Sequence, residues 1–190
     1  MSTEPTNDLK PLNIAILTVS DTRGLDEDSS GQFLEDSVVE AGHQLISRRI
    51  LPDDVYLVRA AMSSWIADQD VHVIIITGGT GFSERDSTPE AVAPLLDKNI
   101  EGFGEEFRRL SALEIGSSTI QSRAFGGLAN HTAIFCLPGS TGACRTGWNG
   151  ILNAQLDSRH GPCNFSALVG RKPERAVERL QQVIGKRATR

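Results

Sequence analysis

Apolar positions along the chain alternate between short β-branched runs and longer stretches with helical spacing. Leu12, Ile14, Ala15, Ile16, Leu17 and Val19 predict a first strand buried on both faces, ending in Ser20-Asp21-Thr22-Arg23-Gly24. Ser29 and Gln32 are spaced as a capping box for a helix carrying Phe33, Leu34, Ser37, Val38 and Ala41, with Gly42 as its stop. A strand over Gln44–Leu51 follows. Pro52-Asp53-Asp54 then starts a helix whose buried stripe is Val58, Ala61, Met62, Trp65 and Ile66. Val71 and Val73 to Ile76 predict a central strand running into Thr77-Gly78-Gly79-Thr80-Gly81. Ser87 and Glu90 read as a second capping box with Pro89 in the first turn, and Pro94 predicts a kink or split.

Further on, Glu101-Gly102-Phe103-Gly104 reads as a turn into a helix over 105–115, and Gly126-Gly127 as a turn before a strand over Thr132–Leu137. That strand passes through Pro138-Gly139-Ser140 into a helix packed through Cys144, Trp148, Ile151, Leu152 and Gln155. A turn at His160-Gly161-Pro162 leads to a last helix near Pro173–Lys186. Strand–helix alternation of this kind predicts an α/β fold with a mostly parallel sheet and helices on both faces.

Length and charge narrow the function classes. The chain has 190 residues, which suits one α/β domain. We assign residues 1–10 to a disordered tail, 11–165 to the domain and 166–190 to a C-terminal extension. A net charge of −5 argues against a nucleic-acid-binding surface, and the basic 171–190 stretch reads as a solvated helix face. Cys136, Cys144 and Cys163 lack zinc or redox spacing, which suits a reducing compartment. Neither a secretory signal nor a membrane span is visible, so a cytoplasmic location is expected.

The glycine loop carries the candidate chemistry. Gly78, Gly79 and Gly81 let backbone N–H groups approach an anion closely. The loop is neither a Walker A motif nor G-x-G-x-x-G, since Glu84 stands at the third glycine position. A phosphate held here needs a metal or another arginine to offset its charge. Asp86, after the loop, and Asp53, at a strand-to-helix turn, are placed to hold Mg²⁺ with substrate phosphate oxygens. The plainer alternative makes Asp53, Asp54, Ser87 and Glu90 helix caps worth about 1 kcal/mol each. The four histidines lack partners at catalytic spacing, and Cys136 and Cys144 read as core.

Taken together, the ordered motifs are specific. They are VSDTR, DSSGQFL, PDD, TGGTG with RDSTPEA, EGFGEEFRRLSALEIGSSTIQSR, and LPGSTGACRTGW with AQLDSR and PCNF. From Leu12 to Phe165 this set resembles the molybdenum-cofactor biosynthesis family of molybdopterin-binding proteins. The resemblance implies a three-layer α/β/α sandwich that forms trimers, or hexamers as pairs of trimers, and binds molybdopterin. It also implies adenylyl transfer from Mg-ATP, with Gly78, Gly79, Thr80 and Gly81 binding nucleotide and Asp53 and Asp86 as catalytic, metal-organising acids. Ser111 and Arg123, with Ser20 and Ser140, would bind the pterin phosphate. Cys136 stands where active relatives place an asparagine that contacts the pterin. A non-catalytic oligomer, carrying molybdopterin or scaffolding other proteins of the pathway, is the alternative within the family. A regulatory or sugar-phosphate-handling protein on the same fold is a third reading.

Overall fold

The computed structural model describes residues 8–170. The expected last helix near 173–186 and residues 1–7 of the expected tail lie outside the described residues. Four strands carry the parallel part of the sheet: β1 (Asn13–Val19), β2 (Gln44–Leu51), β3 (Val73–Thr77) and β6 (Thr132–Leu137). Two more, β4 (Lys98–Asn99) and β5 (Phe125–Ala129), extend it in antiparallel fashion, giving the order β2-β1-β3-β6-β5-β4. The helices are α1 (Ser29–Glu40), α2 (Val55–Ala67), α3 (Thr88–Val92), α4 (Glu101–Ile115), α5 (Thr141–Gly147) and α6 (Asn153–Leu156).

The β-branched runs are continuous because both faces of the central strands are covered. Successive side chains point to opposite faces. Ile14, Ile16, Val73, Ile75, Phe135 and Leu137 therefore join one core with residues of α1, α4 and α5. Ala15, Leu17, Val19, Ile74, Ile76, Ile134 and Cys136 join the other, under α2 and α3. The expected mostly parallel, three-layer α/β/α architecture is the one observed.

Several local expectations give way to tertiary packing. The cap of α1 is Asp28, whose Oδ1 accepts the Gly31 N–H at 2.8 Å, and Ser29 is already inside the helix. Gly42 does stop α1, with φ +83° and its N–H bonded to the Val39 carbonyl, while the His43 N–H bonds to that of Val38. Asp54 caps α2 by accepting from Tyr56 and Leu57. Ser87 makes no side-chain cap; its hydroxyl donates instead to Asp53, and Glu90 pairs with Arg123. The helix after Ser87 does end ahead of Pro94, passing into a 3-10 turn over Ala93–Leu95.

Two glycine pairs read as turns lie inside regular elements. α4 begins at Glu101, and a Cβ on Gly104 would sit 2.6 Å from the Ala124 carbonyl oxygen. Gly104 therefore lets helix and strand approach closely. Gly126 and Gly127 lie in β5, where side chains would collide with Phe135 and Leu96. The turn into β6 is made by Asn130 and His131, both at positive φ, as a two-residue hairpin requires.

His43 gives a pH prediction. Its Nδ1 accepts the Leu12 N–H at 3.2 Å in a buried setting. Burial pushes its pKa below the usual value, with Asp157 opposing and Arg159 adding to the shift. A histidine whose folded pKa is depressed stabilises the fold fully above about pH 6.5, and that contribution is lost as pH falls through the folded value. The denaturation midpoint of the wild type should decline below about pH 6.5 more steeply than that of His43→Asn, which keeps an acceptor without titrating. Parallel curves would refute the assignment.

Candidate functional site

The loops after β1, β3 and β6 meet at the C-terminal edge of the parallel strands. α1 leaves β1 for one face of the sheet, whereas α3 follows β3 on the other, so the chain parts and opens a crevice. The approach is close. Gly78 has φ +104°, and a Cβ there would lie 2.1 Å from the Val19 carbonyl oxygen. A Cβ on Gly139 would lie 3.2 Å from the Gly78 Cα. Thr88, fully buried, ties the loop down by donating its hydroxyl to the Gly78 carbonyl at 2.8 Å and its N–H to that of Gly79 at 2.9 Å.

Above these loops lies a cleft of about 480 Å³. Of the residues singled out in the sequence, Ser20, Gly78, Gly79, Thr80, Gly81, Asp86, Ser111 and Ser140 line it, and Asp53 and Arg123 do not. Ser111 comes from α4, buried at the cleft wall. Ser140 caps α5, its Oγ accepting the Ala143 N–H at 3.1 Å. Cys136 is wholly buried among the α2/α3-side core residues and is not a cleft residue; burial raises its thiol pKa well above the usual value.

Asp86 is set by its own loop. Burial alone would raise its pKa, but the Ser83 hydroxyl and N–H (2.5 and 2.8 Å), the Gly81 N–H and the nearby Arg123 charge outweigh it and hold the carboxyl below its usual range. Asp86 is thus an anion at neutral pH. Arg123 supports the loop from behind. Its Nε donates to the Gly81 carbonyl at 2.8 Å, Nη2 to the Asp86 carbonyl at 2.9 Å and Nη1 to Glu90, with the guanidinium 5.2 Å from the Phe82 ring centroid.

Asp53 lies behind the loop as well. Its Oδ1 accepts the Ser87 N–H at 3.0 Å and hydroxyl at 2.5 Å, while Oδ2 would be 2.6 Å from a Cβ on Gly79. A Cβ on Gly81 would be 2.7 Å from Asp86 Oδ2. The two carboxylates therefore abut the loop at Gly79 and Gly81, and any side chain there would fill the space. Among the described residues no cluster of three or more His, Cys, Asp or Glu could hold a metal alone. Two carboxylates flanking the glycine loop are hard oxygen donors of the kind Mg²⁺ takes when other oxygens complete its shell.

Sequence reasoning missed Arg23, Thr22, Ser118, Gln121 and Ser122 as cleft residues. Arg23 and Thr22 adjoin Ser20 in a loop already marked as polar, which was a usable signal. Ser118 and Gln121 lie in a 3-10 turn that follows α4, where no periodicity reports which side chains face inward.

Comparison with known proteins places this geometry. The family described as "Probable molybdopterin binding domain" matches residues 15–158. "Molybdenum cofactor biosynthesis protein B" of Escherichia coli K12 is 56% identical over 155 residues, covering 82% of this chain and 91% of that protein. The protein of the same name from Bacillus cereus is 45% identical over 148 residues, covering 77% and 88%. A crystal structure of molybdenum cofactor biosynthesis protein B superposes with TM-score 0.75 at 44% identity, over 77% of this chain and 92% of that one. The tungsten cofactor synthesizing protein MoaB from Pyrococcus furiosus superposes with TM-score 0.69 at 35% identity, over 75% and 91%. No helix among the described residues is long and apolar enough to cross a membrane. With matching motifs, the same layered architecture and a family match over most of its length, the chain belongs to the molybdopterin-binding domain family of molybdenum cofactor biosynthesis proteins.

Proposed function

We propose that this protein acts in molybdenum cofactor biosynthesis, binding molybdopterin in the cleft and transferring AMP to it from Mg-ATP. Family membership supports molybdopterin as the ligand. The observation that carries the transferase reading is the convergence on one cleft of a glycine-rich anion loop, an ionised Asp86 and the serines Ser20, Ser111 and Ser140.

In the reaction, an oxygen of the pterin's terminal phosphate attacks the α-phosphorus of ATP. A new P–O bond forms, the bond to pyrophosphate breaks, and adenylyl-molybdopterin and pyrophosphate result. The chemistry asks for alignment and charge neutralisation more than for proton transfer. Gly79 and Thr80 offer backbone N–H groups to the nucleotide phosphates, while Gly78 and Gly81, whose N–H groups are taken by the Leu137 carbonyl and the Asp86 carboxylate, shape the loop around them. Asp86, with Asp53 behind the loop, would hold Mg²⁺, which would neutralise phosphate charge. Ser20, Ser111 and Ser140 hold the pterin phosphate through hydroxyls, and Arg123 serves by bracing the loop that carries Asp86. The exposed Leu113 and Ile115 at the end of α4 and Ile120 in the turn after it offer apolar surface for self-association as a trimer or a dimer of trimers.

The test is to incubate the purified protein with molybdopterin and Mg-ATP and resolve the product by chromatography. Adenylyl-molybdopterin is expected with Mg²⁺ and not with a chelator. Bound but unmodified molybdopterin would favour the second reading, a carrier or scaffold in the same pathway. The placement of Asp53, outside the cleft and bonded to Ser87, favours that second reading.

A further inference from the structure

The cleft is electrically two-ended. Its lining among the described residues carries one anion, Asp86, beside the glycine loop, and one cation, Arg23, on the loop after β1. The arginine that the motifs point to is spent elsewhere: all three of Arg123's guanidinium nitrogens donate to Gly81, Asp86 and Glu90. Arg23 is differently placed. Its Nη1 donates to the Gly139 carbonyl at 3.1 Å, which draws the side chain to the Pro138–Ser140 turn. Its backbone N–H donates to Ser20 Oγ at 3.2 Å. Nε and Nη2 meet no acceptor among the described residues. Arg23 thus ties the loop after β1 to the Pro138–Ser140 turn, its main chain reaching Ser20 and its guanidinium Gly139, while Nε and Nη2 keep donors for a ligand.

A dianionic phosphate monoester in this cleft is repelled at the Asp86 end unless a metal screens it, and attracted at the Arg23 end without one. A planar guanidinium with two donors remaining suits phosphate oxygens. Backbone N–H groups and hydroxyls alone supply no net charge.

We propose that Arg23 supplies the positive charge that binds the terminal phosphate of the pterin, beside the serine hydroxyls and without metal, and so orients it toward the nucleotide held at the Asp86 end. The inference rests on molybdopterin being the ligand of the cleft, and it is independent of whether transfer follows. Arg23 is a specificity residue: it selects the phosphorylated pterin over a dephosphorylated one.

The experiment is calorimetric titration of the full chain with molybdopterin in the absence of ATP, for wild type, Arg23→Gln and Arg23→Lys. Loss of a charge-assisted contact predicts roughly ten- to a hundredfold weaker binding in Arg23→Gln, with partial recovery in Arg23→Lys. Affinity for Mg-ATP should stay within about twofold, which controls for folding. Inorganic phosphate should compete with molybdopterin in wild type and much less in Arg23→Gln. Equal molybdopterin affinity in wild type and Arg23→Gln would overturn the proposal, as would equal losses for molybdopterin and Mg-ATP. The two readings fail separately. Molybdopterin binding that depends on Arg23 without any product would sink the transferase alone; product formation with binding indifferent to Arg23 would sink this inference alone.

Discussion

Replacing Asp86 by asparagine is expected to lower turnover about a hundred- to a thousandfold, the scale seen when one preorganised electrostatic group is removed from an active site. The carboxylate stands at the glycine loop within a lattice of Ser83, Gly81 and Arg123 contacts. Because these contacts hold its pKa below the usual range, the acid is charged throughout the neutral region, and its titration does not shape the rate there. The amide of the Asp86→Asn variant would keep an acceptor for the Ser83 donors but not the charge proposed to hold Mg²⁺. Steady-state assays of product formation, with Mg-ATP and molybdopterin each varied, would read the loss mainly in kcat. A variant within about twofold of wild type would remove Asp86 from the mechanism.

A second large effect concerns the frame beneath the cleft. Asp28 is wholly buried and does three things: it caps α1 through the Gly31 N–H, accepts the Thr18 hydroxyl at 2.7 Å and pairs with Arg48 at 3.1 Å. Asp28→Ala removes all three and leaves Arg48, only 11% exposed in its side chain, with Glu35 as its one remaining acid. Breaking a buried pair by deleting one partner costs about 3–5 kcal/mol. Urea denaturation should show the midpoint falling by that free energy with an unchanged slope. Asp28→Asn, which still accepts at the cap, should lose less. A loss under about 1 kcal/mol for the alanine variant would mean the pair is not the keystone of this corner.

These two acids illustrate what could be read from residues alone. The strands β1, β3 and β6 were legible because each is apolar on both faces, a pattern that only a doubly covered parallel strand needs. β5 was hidden by Gly126 and Gly127, which are glycines because Phe135 and Leu96 leave no room for a Cβ. The start of α4 was hidden by Gly104, which faces the Ala124 carbonyl oxygen. A glycine looks the same in a sequence whether it serves a turn or a close contact. Only the packing tells them apart.

The site divides in the same way. The glycine loop and Asp86 were legible because they follow a strand end where a parallel sheet gathers its loops, whereas Ser20, Ser111 and Ser140 came only from the family resemblance, Ser111 lying inside α4. Asp28 as cap was not, since Ser29 one position later offers an equally good cap by type. Arg123 was found as a residue, but its bonds to three acceptors between Gly81 and Glu90 depend on a crossing from the β5 side that no local pattern encodes. Arg23 closes a marked motif, VSDTR, and its value emerges only once Arg123 is seen to be engaged.

The most direct measurement of the central claim follows the α-phosphate itself. Wild-type protein would be given molybdopterin and Mg-ATP labelled at the α-phosphate, with the pterin product and pyrophosphate both quantified. The account predicts label in the pterin fraction, equal in amount to the pyrophosphate released. Unlabelled molybdopterin recovered from the protein, with the ATP intact, would contradict the transfer and leave a binding protein in its place.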